Sequence, residues 1–465
     1  MHDPLLARLK PAGQEHLLTF WHELDDPARQ SLAGQIDQVD LELIARLTAG
    51  GHKGQAWADL AQRATPPPAI RLADRAGGSA GPRQLGEQAL ADGQVGLVIV
   101  AGGQGTRLGF PHPKGMFPIG PISHATLFQI LLEKTLSRGR AAGAPIPVYL
   151  MTSPATHEET VRFLDENGRF GLAPRDLTIF CQGTMPAVDA KTHKLLLADR
   201  SSLSLSPDGH GGLLAALGQS GSLAEARRRG IRYLFYVQVD NPLVSIGDPE
   251  FLGYHIQRQS EVSTQVVAKR TLRDKVGNVV TIDGKLQILE YSDLNPLPDE
   301  IVGRRAADGS PVFWAGNIAV HIFDLAFLEQ VADSAEGLPF HFAHKAVPFV
   351  DCACGRRVEP EKPNALKFER FIFDLLPAAK KAIVYEVDAE TAFAPVKNAP
   401  GESSDTPAAV QGQMIALATR WLVEAGAKVD PEVPVEISPL LAQDAAELAE
   451  RIPAGLHVTR PQYFC

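Results

Sequence analysis

The chain has 465 residues, of which 45% are hydrophobic and 21% are charged. Its net charge of −9 results from 45 basic and 54 acidic side chains. The length predicts two or three domains, and the acidic balance disfavours a nucleic-acid-binding protein, because phosphate backbones require a basic surface. No apolar run approaches the ~20 residues that span a bilayer, and the first residues lack the apolar core of a signal peptide. We therefore expect a soluble cytoplasmic protein with neither a nucleic-acid nor a membrane partner.

The four cysteines are too few for a disulfide scaffold. Cys352 and Cys354 form a C-x-C motif downstream of His341 and His344. This spacing differs from that of zinc fingers. Metal binding by the group is one interpretation, and buried reduced thiols are the default one.

Residues 1–85 are predicted to form a helical N-terminal region. Apolar residues recur at helical spacing in "GQEHLLTFWHELDD" and in "DLELIARLTA". The segment "TPPPAI" ends this pattern, because proline lacks an amide donor and disfavours helix in the residue before it.

From Val95 onward, buried strands alternate with helices. The predicted strands are "VGLVIVA", "PVYLMTS", "LTIFC" and "YLFYVQV". The predicted helices are "HATLFQILLEKTLSRGR", "THEETVRFLDEN" and "GDPEFLGYHIQRQ". Thr156 and Glu159 form a capping box at the start of the second helix, and Asp248 caps the third, with Pro249 at its first position. This alternation predicts an α/β fold, with a mostly parallel sheet flanked by helices and ligands at the carboxyl ends of its strands.

Two later segments complete the predicted organisation. Asp283-Gly284 between apolar runs predicts a β-hairpin, an antiparallel insert that covers the site. After Lys397, "NAPGESSDTP" precedes a helical pattern, so residues 396–465 are predicted to be a small C-terminal domain and residues 86–395 the α/β domain.

A glycine-rich loop, "AGGQGTRLGFPHPKG", follows the first buried strand. Glycines let the backbone approach a ligand, and successive amides form a cradle for an anion. Arg107 offers a forked phosphate donor and Lys114 a point charge. Leu108 stands where a dinucleotide fingerprint needs glycine, and Gly115 where a P-loop needs Ser or Thr. We interpret the loop as a polyphosphate site, with a glycine-rich turn bearing solvated charges as the alternative.

The loop resembles the signature of the eukaryotic-type UDP-sugar pyrophosphorylases, and is most similar to their UDP-N-acetylglucosamine branch. Further motifs of the family follow in its order between Val95 and Lys397, namely "IFCQGTMPAV", "SPDGHGGLLAAL", "VQVDNPLV", "LEYSDL", "FWAGNIAVHIF", "EKPNALKFERFIFD", "AIVYEV" and "FAPVKNA". The resemblance implies a Rossmann-like nucleotidyltransferase fold, similar to glycosyltransferase A, in residues 86–395. It also implies that UTP and a sugar 1-phosphate react to UDP-sugar and pyrophosphate.

The resemblance also implies roles for individual residues. Arg107 would hold the leaving pyrophosphate, Lys114 would neutralise the α- and β-phosphates, and Lys397 would meet the incoming sugar phosphate. The residues implied to bind UTP are Val100, Ala101, Gly102, Gly103, Gln182, Gly209 and Lys367, with Gln182 and Gly209 reading uracil. Those implied to bind the sugar are His210, Glu290, Tyr291 and Asn317. Phe371 and Phe373 are interpreted as core wall.

Asp240 ends the strand pattern "YLFYVQV". A carboxylate there suits Mg²⁺, which takes one or two carboxylates plus phosphate oxygens, and the alternative is a turn or helix cap. Magnesium is the one cofactor we expect, and the sequence points to no second protein ligand for it.

Three departures from the family pattern leave the sugar open. His210 and Trp314 stand where the N-acetylglucosamine enzymes have Asn, and Cys181 replaces a Gln. The expected product is UDP-N-acetylglucosamine or a similar UDP-sugar, with UDP-glucose or a broad range of sugars as the alternative. A glycosyltransferase is a remote alternative because no Asp-x-Asp motif is present, and a non-catalytic UDP-sugar binder is another. We expect a monomer or a weak homo-oligomer.

Overall fold

The computed structural model describes residues 1–49, 57–75, 80–333 and 337–465. Within these ranges the α-helices are α1 His2–Leu9, α2 Asp26–Gln38, α3 Leu41–Ala49, α4 Trp57–Arg63, α5 Ala80–Ala91, α6 Leu127–Ala142, α7 His157–Glu166, α8 Leu213–Gln219, α9 Ser222–Arg228, α10 Pro249–Gln257, α11 Tyr291–Leu294, α12 Asp299–Val302, α13 Leu325–Ala332, α14 Ala389–Ala392, α15 Pro407–Glu424 and α16 Ala445–Ala449.

The strands are β1 Ala69–Ile70, β2 Val95–Val100, β3 Val148–Thr152, β4 Leu177–Cys181, β5 Thr184–Pro186, β6 Val188–Asp189, β7 Leu197–Asp199, β8 Ser202–Leu203, β9 Leu205–Pro207, β10 Tyr233–Gln238, β11 Val262–Ala268, β12 Gly277–Ile282, β13 Lys285–Leu289, β14 Ala315–Asp324, β15 His341–Lys345, β16 Phe349–Val350, β17 Arg357–Val358, β18 Ala365–Glu369, β19 Ala382–Glu386, β20 Lys428–Val429, β21 Val435–Ile437, β22 His457–Val458 and β23 Gln462–Phe464.

The chain divides into two compact units, each built from separate stretches of sequence. One unit contains Met1–Trp57, Gln182–Leu213 and Glu336–Asp374, and the other contains Ala58–Cys181, Leu214–Ala335 and Leu375–Cys465. This division differs from the three consecutive domains that the sequence predicts, and those boundaries stay a prediction.

The second unit is organised around a large sheet with the strand order β1-β19-β11-β14-β10-β2-β3-β4. Strand β2 is parallel to both of its neighbours, β10 and β3, whereas β14 is antiparallel to β10 and β11. Residues of β2 share one buried cluster with Phe128 of α6 and Phe251 of α10. The predicted α/β class with a mostly parallel sheet flanked by helices is therefore confirmed.

The predicted hairpin is also present in this unit. Strands β12 and β13 pair around Asp283 and Gly284, whose φ values of 50° and 78° are those of a tight hairpin turn. Strand β12 also pairs with β14, so the hairpin extends the central sheet.

The C-terminal part of the second unit has a core of its own, in which α15 packs with two small parallel strand pairs, β20–β22 and β21–β23. Residues of this core include Leu422, Val435 and Phe464.

The first unit combines the N-terminal helices with short strands. Leu9 of α1 and Leu32 of α2 share a buried cluster with Val188 and with Phe368 of β18. Strand β18 lies between β15 and β6 and is antiparallel to both.

The segment "GQEHLLTFWHELDD" is helical, but it forms two 3₁₀ turns, Glu15–Leu18 and Trp21–Glu23, and its Asp25 caps the next helix by accepting the amide of Ala28. One local prediction was wrong. Thr156 makes no cap on α7, since its hydroxyl bonds with Ser153, and Glu159 pairs instead with His112 at 2.6 Å. Asp248, in contrast, caps α10 as predicted.

No helix in the described part of the chain is long and apolar enough to cross a membrane.

Candidate active site

The glycine-rich loop leaves the central sheet at the carboxyl end of β2. Its first residues are held by the neighbouring strands, since Ala101 donates its amide to Met151 (2.8 Å) and Val100 accepts the amide of Val239 (3.0 Å). The hydroxyl of Ser153 donates to the Gly102 carbonyl at 2.7 Å. The start of the loop is therefore fixed at the sheet edge where parallel sheets bind ligands.

The loop closes on itself and leaves a run of amides free. Lys114 donates its amide to Gly103 (3.0 Å), and Gly105 donates to His112 (2.9 Å). The amides of Gly102, Gly103 and Gln104 donate no hydrogen bond within the described residues. Open space surrounds Gly103, where an added Cβ would meet no atom within 4 Å. Unpaired amides with room in front of them are what an anion cradle needs.

Arg107 lies on a 3₁₀ turn of this loop, Thr106–Leu108, and is exposed. Its guanidinium forms no ion pair or hydrogen bond with any part of the chain that the structure describes. It is therefore available to an incoming anion.

Lys114 and Asp240 form an ion pair with 3.4 Å between Lys114 Nζ and Asp240 Oδ2. Lys114 begins another 3₁₀ turn, in which Gly115 lies against the Phe128 ring so closely that an added Cβ would be 2.3 Å from it. Asp240 lies two residues beyond β10, which neighbours β2 in the sheet. The structure thus brings together the lysine expected to neutralise phosphate and the carboxylate expected to suit Mg²⁺.

Asn241 is a residue of this site that the sequence analysis missed. Its buried side chain donates to the Ala392 carbonyl (2.8 Å) and accepts the Ala394 amide (3.1 Å). Asp240 accepts the Val396 amide through its backbone carbonyl at 2.9 Å. These bonds tie the segment that carries Lys397 to the end of β10. An Asn directly after an Asp at the end of a strand was the available signal.

Lys397 lines a cavity of about 390 Å³ together with Asp405, Phe393, Arg270 and Lys275. Asp405 accepts the Lys397 amide at 2.9 Å through its carbonyl, and Lys397 Nζ lies 5.8 Å from the centre of the Phe393 ring. Burial raises the pKa of the Asp405 carboxyl, Lys397 opposes this effect, and Asp240 adds to it. Charged groups from three parts of the chain therefore act on one another here.

Glu290, Tyr291 and Asn317 are also brought into one region. Asn317 of β14 is the partner of Gly277 in the β12–β14 pairing, and an added Cβ on Gly277 would lie 2.9 Å from Glu290 Oε1. Tyr291 follows Glu290 directly and is 36% exposed. Asn317 Oδ1 accepts the Ala319 amide at 3.1 Å, which fixes the orientation of its amide group.

The remaining predicted residues, Gln182, Gly209, His210 and Lys367, belong to the first unit. Gln182 is buried, and the Gly183 carbonyl after it accepts the amide of Asp208 at 3.2 Å, so Gln182 and Gly209 lie close together. Gly209 has a φ of 83° and no room for a Cβ, which would be 2.4 Å from the Arg370 carbonyl oxygen. Lys367 lies on β18, opposite Ala343.

His210 is held in one tautomer by its surroundings. Its Nδ1 accepts the Ile372 amide at 3.2 Å, and its ring stacks on Phe371 with 5.3 Å between centroids. Burial, with a smaller effect of His341, lowers the pKa of His210 to about 4. The ring is thus neutral near pH 7 and carries its proton on Nε2, while Phe371 and Phe373 form its wall.

Two other sequence features have simple structural explanations. Trp314 is buried beneath the guanidinium of Arg71, which lies 3.7 Å from its ring centre. All four cysteines are free thiols, and Cys354 is exposed, so the prediction of buried thiols was wrong for that residue. The described residues contain no group of three or more His, Cys, Asp or Glu side chains placed to hold a metal, at Cys352 and Cys354 or elsewhere.

Comparison with known proteins identifies the family. The family model described as UTP–glucose-1-phosphate uridylyltransferase matches residues 78–434. The chain belongs to this family. This uridylyltransferase is 36% identical to UDP-N-acetylglucosamine diphosphorylase 2 of Arabidopsis thaliana, over 98% of the chain and 92% of the relative. It is 33% identical to UDP-N-acetylglucosamine pyrophosphorylase of Saccharomyces cerevisiae, over 94% of the chain and 95% of the relative.

A solved structure extends the likeness to the fold. The uridylyltransferase superposes on the uridine diphosphate N-acetylglucosamine pyrophosphorylase of Trypanosoma brucei, solved with an inhibitor, with a TM-score of 0.82 and 27% identity. The match covers 99% of this chain and 98% of the other. The protein is therefore an enzyme with the nucleotidyltransferase fold, and the glycosyltransferase and the non-catalytic binder are not supported.

Proposed function

We propose that this enzyme transfers the uridylyl group of UTP to N-acetylglucosamine 1-phosphate, giving UDP-N-acetylglucosamine and pyrophosphate. A phosphate oxygen of the sugar forms a bond to the α-phosphorus as the bond from that phosphorus to the bridging oxygen breaks, and pyrophosphate leaves with the electron pair. The attacking phosphate is already anionic, so the step needs no protein nucleophile. The protein contributes alignment and neutralisation of charge.

The observation that carries this proposal is the position of Lys114 beside Asp240, next to free loop amides at the edge of the sheet. In our proposal the amides and Lys114 hold the α- and β-phosphates, and the unpaired Arg107 binds the pyrophosphate as it leaves. Fixed cations at the place where charge develops stabilise the transition state because they need no reorganisation.

Magnesium fits this arrangement. Asp240 is 8% exposed and presents a carboxylate at the carboxyl end of β10, and Mg²⁺ binds through one or two carboxylates plus substrate phosphates. Asp240 would hold the ion, which would supply further neutralisation of phosphate charge. Lys397, in the cavity with Asp405, is proposed to receive the phosphate of the sugar.

Glucose 1-phosphate is the second candidate for the sugar substrate, and an enzyme that accepts several sugar 1-phosphates is a variant of this candidate. The observation that favours it is His210, which departs from the Asn expected for N-acetylglucosamine. With Nδ1 occupied by the Ile372 amide, His210 offers a single donor, whereas Asn offers both a donor and an acceptor. We assign Gln182 and Gly209 to uracil and Lys367 to UTP on the resemblance alone.

Pyrophosphate release from UTP and Mg²⁺ with a panel of sugar 1-phosphates tests the proposal. We expect N-acetylglucosamine 1-phosphate to give the highest kcat/KM, with N-acetylgalactosamine 1-phosphate and glucose 1-phosphate as competitors. ATP, CTP and GTP serve as controls and should support little turnover. Equal rates with all four nucleotides would contradict the uracil assignment, and preference for glucose 1-phosphate would establish the second candidate.

We further propose a cytoplasmic location, which the free thiols of all four cysteines support. We also propose a monomer or a weak homo-oligomer. Light scattering at two protein concentrations would measure the oligomeric state.

A further inference from the structure

A buried carboxylate in the C-terminal part holds the loop that follows Lys114. Glu436 lies on β21 and is 6% exposed. Its Oε2 accepts the amides of Ile122 and Ser123, both at 2.7 Å, and its Oε1 accepts the Ser123 hydroxyl at 2.6 Å. Short bonds to an ionised group are about twice as strong as neutral ones, so the tip of this loop is firmly held.

The loop connects this anchor directly to Lys114. Phe117 donates its amide to the Lys114 carbonyl (2.9 Å) and accepts the amide of Leu127, the first residue of α6 (3.1 Å). Ile119 donates to Ala125 at 2.9 Å, so residues 117–127 form a closed loop. The tip of the loop is bonded to Glu436, and the base of the loop is bonded to the turn that carries Lys114.

Gly120 shows that the loop is built around this carboxylate. An added Cβ would be 2.7 Å from Glu436 Oε1 and 2.4 Å from Ser123 Oγ. Any other residue at position 120 would have to displace the Glu436 side chain or the loop backbone.

We propose that Glu436 is a positioning residue for the reaction, which keeps the loop 117–127 in place so that Lys114 Nζ stays beside Asp240. The inference rests on the proposed role of Lys114 in neutralising phosphate charge. It gives the C-terminal part of the chain a function in turnover, exerted through the loop rather than by contact with substrate.

The test compares Glu436→Gln with a matched control, Asp444→Ala. The glutamine has the same size and keeps one oxygen that can accept the amides of Ile122 and Ser123, but it lacks the charge that makes these bonds about twice as strong as neutral ones. We expect kcat to fall about 10-fold, with a smaller change in the KM for UTP, because weaker bonds let the loop and Lys114 shift, and ångström-scale displacement of a catalytic group costs up to ~10²-fold. Asp444 caps α16 by accepting the Glu447 amide at 2.8 Å, so Asp444→Ala should lower the thermal midpoint and leave kcat unchanged.

Hydrogen exchange separates positioning from general loss of stability. In Glu436→Gln the amides of Ile122 and Ser123 should exchange faster at a temperature well below the midpoint, and in Asp444→Ala they should exchange at the parental rate. Ser123→Ala removes one of the bonds and should give a smaller fall in kcat. The fall in the double variant should be less than the product of the two single effects.

The possible failures are distinguishable. If Glu436→Gln lowered the thermal midpoint but turned over at the parental rate, Glu436 would be structural only, and this inference would be overturned while the proposed function stands. If Lys114→Ala itself kept the parental kcat, the proposed role of Lys114 would fall first, and the positioning role with it.

Discussion

Lys114 and Asp240 are 126 positions apart in the sequence, yet the fold brings Lys114 Nζ to 3.4 Å from the carboxylate. The pairing serves both residues before substrate arrives, because each charge compensates the other in a partly buried site. In the proposed complex with UTP and Mg²⁺, the lysine would face phosphate and the carboxylate would face the metal. On this proposal, the ion pair occupies the positions that the charges of the substrate complex would take.

Replacing Lys114 tests this interpretation. We expect Lys114→Ala to lower kcat about 100- to 1,000-fold, since removal of one transition-state donor raises a barrier by roughly 2.7–4 kcal/mol. The protein should remain folded at the assay temperature, as measured by its thermal midpoint. Lys285→Ala, on the exposed hairpin, is the control and should match the parent in both measurements.

The identity of residue 210 is expected to tune the choice of sugar. The asparagine in His210→Asn offers the sugar an acceptor oxygen in addition to a donor. We therefore expect kcat/KM for N-acetylglucosamine 1-phosphate, divided by that for glucose 1-phosphate, to rise roughly 10-fold. His341→Asn, which loses the bond to Asp374 behind Phe371, is the control. An unchanged ratio in His210→Asn would show that residue 210 does not select the sugar.

At the scale of elements, glycine is required for different reasons in the two halves of the glycine-rich loop. At Gly115 the Phe128 ring leaves no room for a Cβ, whereas Gly103 faces open space. We expect Gly115→Ala to reduce stability by about 1–3 kcal/mol through overpacking and to lower kcat by moving Lys114. Phe128→Leu in that background should restore part of both.

Gly103→Ala should behave in the opposite way. Its stability should match or slightly exceed the parent, because alanine restricts the unfolded chain. The KM for UTP should rise, since the methyl group occupies space in front of the free amides. Chemical denaturation and initial rates measure the two effects, and a destabilised Gly103→Ala with normal KM would contradict this division of roles.

The sequence predicted the elements that depend on local pattern. The β-branched run of β2 and the Asp283-Gly284 turn formed as expected, because continuous burial and a positive φ each leave a clear signature. The predicted helix cap at Thr156 does not form, because the Thr156 hydroxyl accepts the Ser153 amide and donates to the Ser153 carbonyl. Competition of this kind is decided by the fold, which single-sequence reasoning does not supply.

Site features that depend on long-range contacts could be predicted only as residue types. Asp240 is recognisable at a strand end, but nothing in the sequence shows that Asn241 ties it to residues 392–394. Likewise, Glu436 is one acidic residue among 54 until its bonds to Ile122 and Ser123 are seen. The family resemblance gave roles for single residues, whereas the supporting contacts required coordinates.

For the whole molecule, two buried histidines link stability to pH. Burial lowers the pKa of His255 to about 3, and burial with His341 lowers that of His210 to about 4. Both pKa values in the folded protein lie below ~6.5, the ordinary histidine pKa of an unfolded chain. At a pH between the folded and the unfolded pKa, the unfolded chain binds a proton that the folded protein does not. The folded protein therefore loses stability as pH falls through this range.

We therefore expect these two histidines to lower the free energy of unfolding as pH is reduced from about 6.5 towards 4, by about 1.4 kcal/mol per unit of depressed pKa and per histidine. Burial raises the pKa of the Glu133, Asp208 and Asp248 carboxyls, which act in the opposite direction, so the test is the difference between the parent and a histidine variant. His210→Asn removes one of the two groups and should reduce the slope of this curve by up to one proton. Urea denaturation at half-unit pH steps measures it, and identical slopes for the parent and His210→Asn would mean that His210 is protonated as readily in the folded protein as in the unfolded chain.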